Sequence, residues 1–218
     1  MRDLFDARVT CTVAPIGEPD VEALPEAERA LVAKAVPKRI REFCAGRTLA
    51  RRMLGELGRP TEALLRGAEG SVRWPQGVQG SISHSGPWVG VALTLDPSIA
   101  GLGLDIEDAT GLTEKHWRII LTGEDKCHLE SWPQEARPRI AKKMFGAKEA
   151  AYKAQFPQSQ MYLPFSAMWI AVSRDETSFE ATFRQDAAPY RTGDVLRGRF
   201  ATLQAHLIST VIAEARTR

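Results

Sequence analysis

The most constraining stretch of this chain runs from Trp88 to Ile106, where Asp96 and Asp105 are the only charged side chains. Trp88–Leu95 (WVGVALTL) and Ile99–Ile106 (IAGLGLDI) read as two strands joined by an Asp96-Pro97 turn. Their nearly continuous apolar character requires cover on both faces, which predicts a central sheet and not an exposed hairpin. Other parts of the chain must supply that cover. Residues 25–58 carry a helical pattern that ends at Gly58-Arg59-Pro60, and Pro37 divides it into two helices. A Gly/Pro-containing loop follows from Gly67 to Gly80. The second half repeats the layout. A helical pattern starts near Thr113 and another spans Pro138 to Gln155, before strand-like runs at Phe165–Val172, Phe179–Arg184, Leu196–Leu203 and His206–Ala213. The expected class is α+β, in two halves of similar content.

With 218 residues, the chain is long enough for one large domain or two small ones. Hydrophobic residues at 44% and charged residues at 26% exclude a disordered chain. Lys+Arg at 29 against Asp+Glu at 27 give a formal net charge of +2, so nothing global calls for nucleic acid or an anionic membrane. Any basic site must be local. No apolar run approaches the roughly 20 residues of a membrane span. Arg2, Asp3, Asp6 and Arg8 break any secretory apolar segment at the start, and a cytoplasmic location is expected. Cys11, Cys44 and Cys127 have neither metal-ligand spacing nor an even-numbered disulfide pattern, and read as reduced thiols.

Four groups of residues carry possible chemistry. Gly103-Leu104-Asp105-Ile106-Glu107 ends a strand, where period-two geometry turns both carboxylates to one face. Two hard oxygen ligands so placed suit Mg²⁺, and a strand-end turn with solvated acids fits the same residues. On the helix Pro138–Gln155, Ile140, Met144, Ala147 and Ala151 form an apolar stripe, with Glu149 and Lys153 opposite in i,i+4 register. That register also describes a surface ion pair. Phe145, Tyr152 and Phe156 flank it, however, and so much aromatic surface favours an interface or cleft. Gly80 to Gly86 (GSISHSG) reads as a small polar loop able to cradle a phosphate or to serve as a structural turn. It lacks the G-x-S-x-G elbow of a serine hydrolase. On the helix after Pro37, Arg39 and Arg47 sit at the margins of the arc Ile40, Phe43, Ala50, Leu54 and Leu57. A guanidinium there finds either a phosphate or water.

In order, G-S-I-S-H-S (80–85), G-L-G-L-D-I-E (101–107) and F-G-A-K-E-A-A-Y-K (145–153) resemble the signature of the two-lobed 4′-phosphopantetheinyl transferases. V-P-K-R-I-R-E-F-C-A-G-R (36–47) and W-P-Q-G (74–77) extend the resemblance from Val36 to Phe156. It implies a pseudo-dimer of two similar α+β lobes, residues 1–108 and 109–218, with the active site in the cleft between them. Such an enzyme transfers the 4′-phosphopantetheine of coenzyme A to a serine of an apo acyl- or peptidyl-carrier protein, releasing 3′,5′-ADP. The resemblance further implies Asp105, Glu107 and Glu149 as ligands of Mg²⁺, with Mn²⁺ as a substitute, and Glu149, Lys148 and Lys153 as catalytic groups. Arg39, Arg47, Arg66, Ser83, His84, Lys148 and Lys153 would bind coenzyme A. Phe145 stands where many relatives have tryptophan, and Leu121 to Asp125 fit a further acidic motif too loosely to receive a role.

A monomer suffices for such a fold. Its carrier protein is expected to dock on Leu112–Ile120, through Lys115, Trp117, Arg118 and Ile119, unless Trp117 and Ile119 pack into the core of the second lobe, which the same residues fit. Two other functions use the same residues: an inactive coenzyme A- or carrier-binding module, and a Mg²⁺-dependent nucleotide hydrolase.

Overall fold

A computed structural model describes residues 4–216. The elements, in chain order, are β1 (Thr10–Pro15), α1 (Glu26–Val32), α2 (Pro37–Glu56), β2 (Gln79–Ser85), β3 (Trp88–Thr94) and β4 (Ile99–Asp108). The second half contributes α3 (Glu114–Ile120), α4 (Gly123–Glu130), α5 (Arg137–Ser159), β5 (Met168–Val172), β6 (Ser178–Phe183), β7 (Val195–Leu203) and β8 (His206–Glu214). Pro37 opens α2, because a proline at the first helical position gives up an N–H that has no acceptor there. α4 starts on a capping box, in which Thr122 Oγ1 accepts from Asp125 N–H while the Asp125 carboxylate accepts from Thr122 N–H.

The fold is α+β, with two antiparallel sheets ordered β1-β3-β2 and β4-β8-β7-β6-β5. The two apolar strands of the central stretch therefore lie in different sheets, which corrects the expectation of one central sheet. By its hydrogen bonds the strand bearing Asp105 and Glu107 pairs with β8 of the second half, and the change of sheet falls between Thr94 and Ile99. Local bonds redirect the chain there: Asp96 N–H donates to Thr94 Oγ1, and Ser98 N–H donates to Asp96 Oδ1. β1 is a strand the sequence reading did not mark, although Val9, Cys11 and Val13 alternate with Thr10 and Thr12. Most of the stretch Gly80 to Gly86, read as a polar loop, belongs to the strand Gln79–Ser85, which pairs along its whole length with β3.

The two sheets meet through side chains. Leu104 N–H donates to Ser81 Oγ at 3.0 Å, and Ile106 N–H donates to Ser83 Oγ at 3.1 Å. Alternate serines of β2 thus satisfy edge donors of β4 that would otherwise be buried without acceptors. α5 lies across the second sheet and buries Ile140, Met144, Ala147, Ala151 and Ala154 against Ile170, Phe179, Phe183 and Val211. Each large apolar side chain so buried contributes about 1.5–3 kcal/mol. Leu49, Ala50, Met53 and Leu54 of α2 cover the first sheet at Val89, Val91 and Leu93.

Glycines in β4 set how closely α5 approaches. A Cβ on Gly103 would stand 1.9 Å from the Ala150 carbonyl oxygen, and one on Gly101 would stand 2.0 Å from that of Ala154. No L side chain fits at either distance. The G-x-G that precedes Asp105 is therefore what brings the helix backbone onto the strand, with Glu149 and Lys153 beside the acids.

Candidate active site

Lys153 reaches from α5 to the middle of β4. Its ammonium donates to Asp105 Oδ1 at 2.7 Å, to the Leu104 carbonyl at 3.1 Å and to Ser83 Oγ at 3.3 Å. Ser83 Oγ–H donates to the same Asp105 oxygen at 3.2 Å. Asp105 is only 4% exposed, and its other oxygen, Oδ2, is buried with no hydrogen-bond partner in the protein. Leaving a carboxylate oxygen so placed is costly unless something charged or hydrogen-bonding meets it.

Two more carboxylates stand nearby. Burial pushes the Glu149 carboxyl above its ordinary range; the Lys153 charge works against that and the Asp105 charge adds to it. Glu107 is also pushed up, by burial first and then by Asp105, with Lys142 at 3.2 Å opposing. Both glutamates therefore feel the charge of Asp105. A hard divalent cation relieves that repulsion, and carboxylate oxygens are the donors it prefers, so the donor set fits Mg²⁺. Among the described residues, though, no three acidic, histidine or cysteine side chains are gathered about one point. Asp105 is turned onto Lys153 and Glu107 onto Lys142.

A second cluster lies on the first half. Arg39, Glu42, Phe43, Arg47 and His84 line a cavity of about 120 Å³. Arg39 donates to His84 Nε2 at 3.0 Å, which makes Nε2 the acceptor and leaves Nδ1, 3.5 Å from Glu42 Oε2, as the protonated nitrogen. Burial holds the His84 pKa below its usual value, against the pull of Glu42. Arg47 is 6% exposed, lies over the Phe43 ring at 4.9 Å, and keeps a buried Nε–H with no acceptor. A buried guanidinium with an unused donor is a prepared anion site. Arg66 is exposed, and its guanidinium lies against Gly70, which lines the same cavity.

Between these clusters runs a cleft of about 440 Å³, walled by Glu69 to Val72, Trp74 and Val78 to Ile82 on one side and by Glu149, Tyr152, Lys153 and Phe156 on the other. A smaller apolar slot of about 100 Å³ opens beside Glu149 among Tyr152, Tyr162, Leu163, Phe165 and Met168. The aromatic surface around the Glu149 face thus lines cavities. The Tyr162 part of this wall escaped sequence reading, because it lies in irregular chain after α5.

Two expected site residues are placed differently. Lys148 is buried on the side of α5 away from Asp105; its ammonium pairs with Asp125 at 2.8 Å and donates to the Phe165 and Met168 carbonyls. A hundred-degree step along the helix separates its direction from that of Glu149. Its donors are taken up by Asp125 of α4 and by the carbonyls at the start of β5, although the residue also lines the slot beside Glu149. Ser83 Oγ is committed to Ile106 N–H, Asp105 and Lys153. It joins the sheets and orients Asp105, and is not free to bind the nucleotide.

On α3, Trp117 packs on the second-half core and donates its indole N–H to the Leu112 carbonyl at 2.9 Å, whereas Ile119 is 72% exposed beside exposed Lys115 and Arg118.

The similarity to known proteins covers both halves. Residues 27–94 match the 4′-phosphopantetheinyl transferase N-terminal domain, and residues 101–205 match the 4′-phosphopantetheinyl transferase superfamily. The gap between these matches contains the change of sheet after Thr94. 4′-Phosphopantetheinyl transferase Svp of Streptomyces mobaraensis is 34% identical over 192 residues, covering 86% of this chain and 77% of the relative. 4′-Phosphopantetheinyl transferase Npt of Nocardia iowensis is 31% identical over 195 residues, or 84% and 87% of the two chains. 4′-Phosphopantetheinyl transferase PptT of Mycobacterium tuberculosis is 31% identical over 165 residues, or 76% and 72%. The chain belongs to the 4′-phosphopantetheinyl transferase superfamily. Its activity is phosphopantetheine transfer, with coenzyme A as donor and a carrier protein as the kind of acceptor.

Proposed function

We propose that coenzyme A lies along the cleft with its 3′-phosphate among Arg39, Arg47, His84 and Arg66, and its diphosphate over Asp105, Glu149 and Lys153. The observation that carries this reading is the presence of two unsatisfied buried groups of opposite charge, Arg47 Nε–H at one cavity and Oδ2 of Asp105, whose other oxygen is held by the cleft residue Lys153. A nucleotide diphosphate with a divalent ion answers both. Asp105, Glu107 and Glu149 would hold Mg²⁺, which when bound offsets charge on the diphosphate. Lys153 is placed to do the same from the protein side. The carrier serine Oγ attacks the β-phosphorus, the bond to the bridging oxygen breaks, and 3′,5′-ADP leaves. Glu149, whose burial raises its proton affinity, takes the serine proton directly or through a water. The slot among Lys148, Tyr152, Tyr162 and Phe165 opens beside Glu149 and would receive part of the pantetheine arm.

The protein is read as a cytoplasmic monomer acting on an apo acyl- or peptidyl-carrier protein. No helix among the described residues is long and apolar enough to cross a membrane. Incubation with coenzyme A, Mg²⁺ and apo-carrier should add phosphopantetheine to the carrier mass and release 3′,5′-ADP. Coenzyme A binding without transfer would establish the inactive module, and nucleotide cleavage without carrier would establish the hydrolase.

Truncation of Arg47 or Arg39 should weaken coenzyme A by about 1.5–3 kcal/mol, the scale of a charge-assisted hydrogen bond. Calorimetry should show the loss for coenzyme A and little change for 3′-dephospho-coenzyme A. Equal losses for both ligands would move these arginines away from the 3′-phosphate.

Carrier proteins of this kind present the serine at the start of an acidic helix, and α3 offers exposed Ile119 on the same short helix as the exposed cations Lys115 and Arg118. Charge reversal at both should raise the carrier KM and leave coenzyme A affinity unchanged, and the wild-type KM should climb with salt. An unaltered carrier KM at low ionic strength would place docking elsewhere.

A further inference from the structure

α5 turns one more cation toward the acids than the transfer chemistry uses. Lys142, Gly146, Glu149 and Lys153 follow one another at i, i+4, i+7 and i+11, on a single face of the helix. Lys142 is 7% exposed, and its ammonium donates to Glu107 Oε2 at 3.2 Å and to Asp108 Oδ2 at 3.4 Å. Three turns on, Lys153 meets Asp105 in the same way. The two inward carboxylates of β4 are thus each held by a lysine of the same helix.

An ammonium at that distance occupies an oxygen that a metal would need, and it repels an incoming dication. Its second partner matters as much. The Asp108 side chain is half-exposed, so a small shift seats Lys142 on Asp108 and frees Glu107, without leaving a buried lysine unpaired. A diphosphate in the cleft supplies the negative charge that draws in a dication, and the dication repels the Lys142 ammonium toward Asp108.

We propose that Lys142 is a positioning residue that holds Glu107 as an internal counter-ion until the coenzyme A diphosphate arrives, so that divalent ion and coenzyme A bind together. This rests on the reading that Asp105 and Glu107 hold the ion. Lys142 therefore lowers the affinity of the free protein for metal and couples metal binding to the donor substrate. An ion bound alone would be discouraged, and Mg²⁺ would enter with the group it serves.

Binding of Mn²⁺ alone, followed by electron paramagnetic resonance, tests this with and without coenzyme A. Wild-type protein should bind Mn²⁺ about tenfold or more tightly when coenzyme A is present, within the ordinary range of coupling between sites. Lys142→Met should raise affinity in the absence of coenzyme A by about tenfold, the scale of coupling within one ion-pair network, and shrink the coenzyme A effect. Lys142→Arg, which keeps the charge, should behave as wild type. Asp108→Asn alters an exposed side chain with little risk to folding, and removes the alternative seat. Its Mn²⁺ affinity should fall more with coenzyme A present than without it. Identical coenzyme A-free affinities for wild type and Lys142→Met, or equal losses in both arms for Asp108→Asn, would overturn the role of Lys142 while leaving the metal assignment standing. No Mn²⁺ binding by wild type with coenzyme A present would overturn both.

Discussion

Asp105→Asn is expected to lower carrier modification by about 10³-fold or more while the protein stays folded, because a site of preorganised charge loses a central ligand. The substitution keeps the size of the side chain. An amide can still accept from Lys153 and Ser83 through its oxygen, so the contacts that tie β4 to β2 and α5 survive in weakened form. What disappears is the negative charge at Oδ2, the buried oxygen that no protein donor meets. Glu107→Gln should act in the same direction. The checks are the mass shift of the carrier protein, a thermal melt, and Mn²⁺ binding in the presence of coenzyme A. A folded Asp105→Asn variant that turns over within tenfold of wild type would falsify the assignment of this carboxylate to the diphosphate site.

The sequence made the participants legible more readily than their directions. Asp105 and Glu107 share a strand face by period two, and Glu149 and Lys153 share a helix face by i,i+4. Both relations are local and survive folding unchanged. The division of helices at Pro37 was legible for the same reason. What periodicity cannot encode is which partner a side chain meets across the chain. The resemblance put Ser83 with His84 on coenzyme A, yet strand alternation sends the two to opposite sides, Ser83 to β4 and His84 to Arg39. The affiliation of β4 is non-local as well, since its partner β8 lies about a hundred residues along the chain. Lys142 is a different case. It lies on the Glu149–Lys153 face at a spacing the sequence displays, and that spacing was the signal available for it.

Lys148→Met is expected to cost about 3–5 kcal/mol of stability, the range for stranding one partner of a buried ion pair. It should leave coenzyme A affinity near the wild-type value. Both side chains of the Lys148–Asp125 pair are almost wholly buried, and burial pulls the lysine pKa down against the opposing effect of Asp125. Asp125 would keep donors from Thr122 and from Ile170 N–H, but no compensating charge. Removing the charge of both partners is a milder change than removing one. A Lys148→Met/Asp125→Asn protein should therefore recover much of the lost melting temperature. That recovery distinguishes a strut between α4, α5 and β5 from a phosphate ligand, since the resemblance to the transferases alone would put Lys148 on the diphosphate. If Lys148→Met kept its wild-type melting temperature but lost turnover, the ammonium must leave Asp125 when substrate binds. The strut would then be a feature of the free enzyme only.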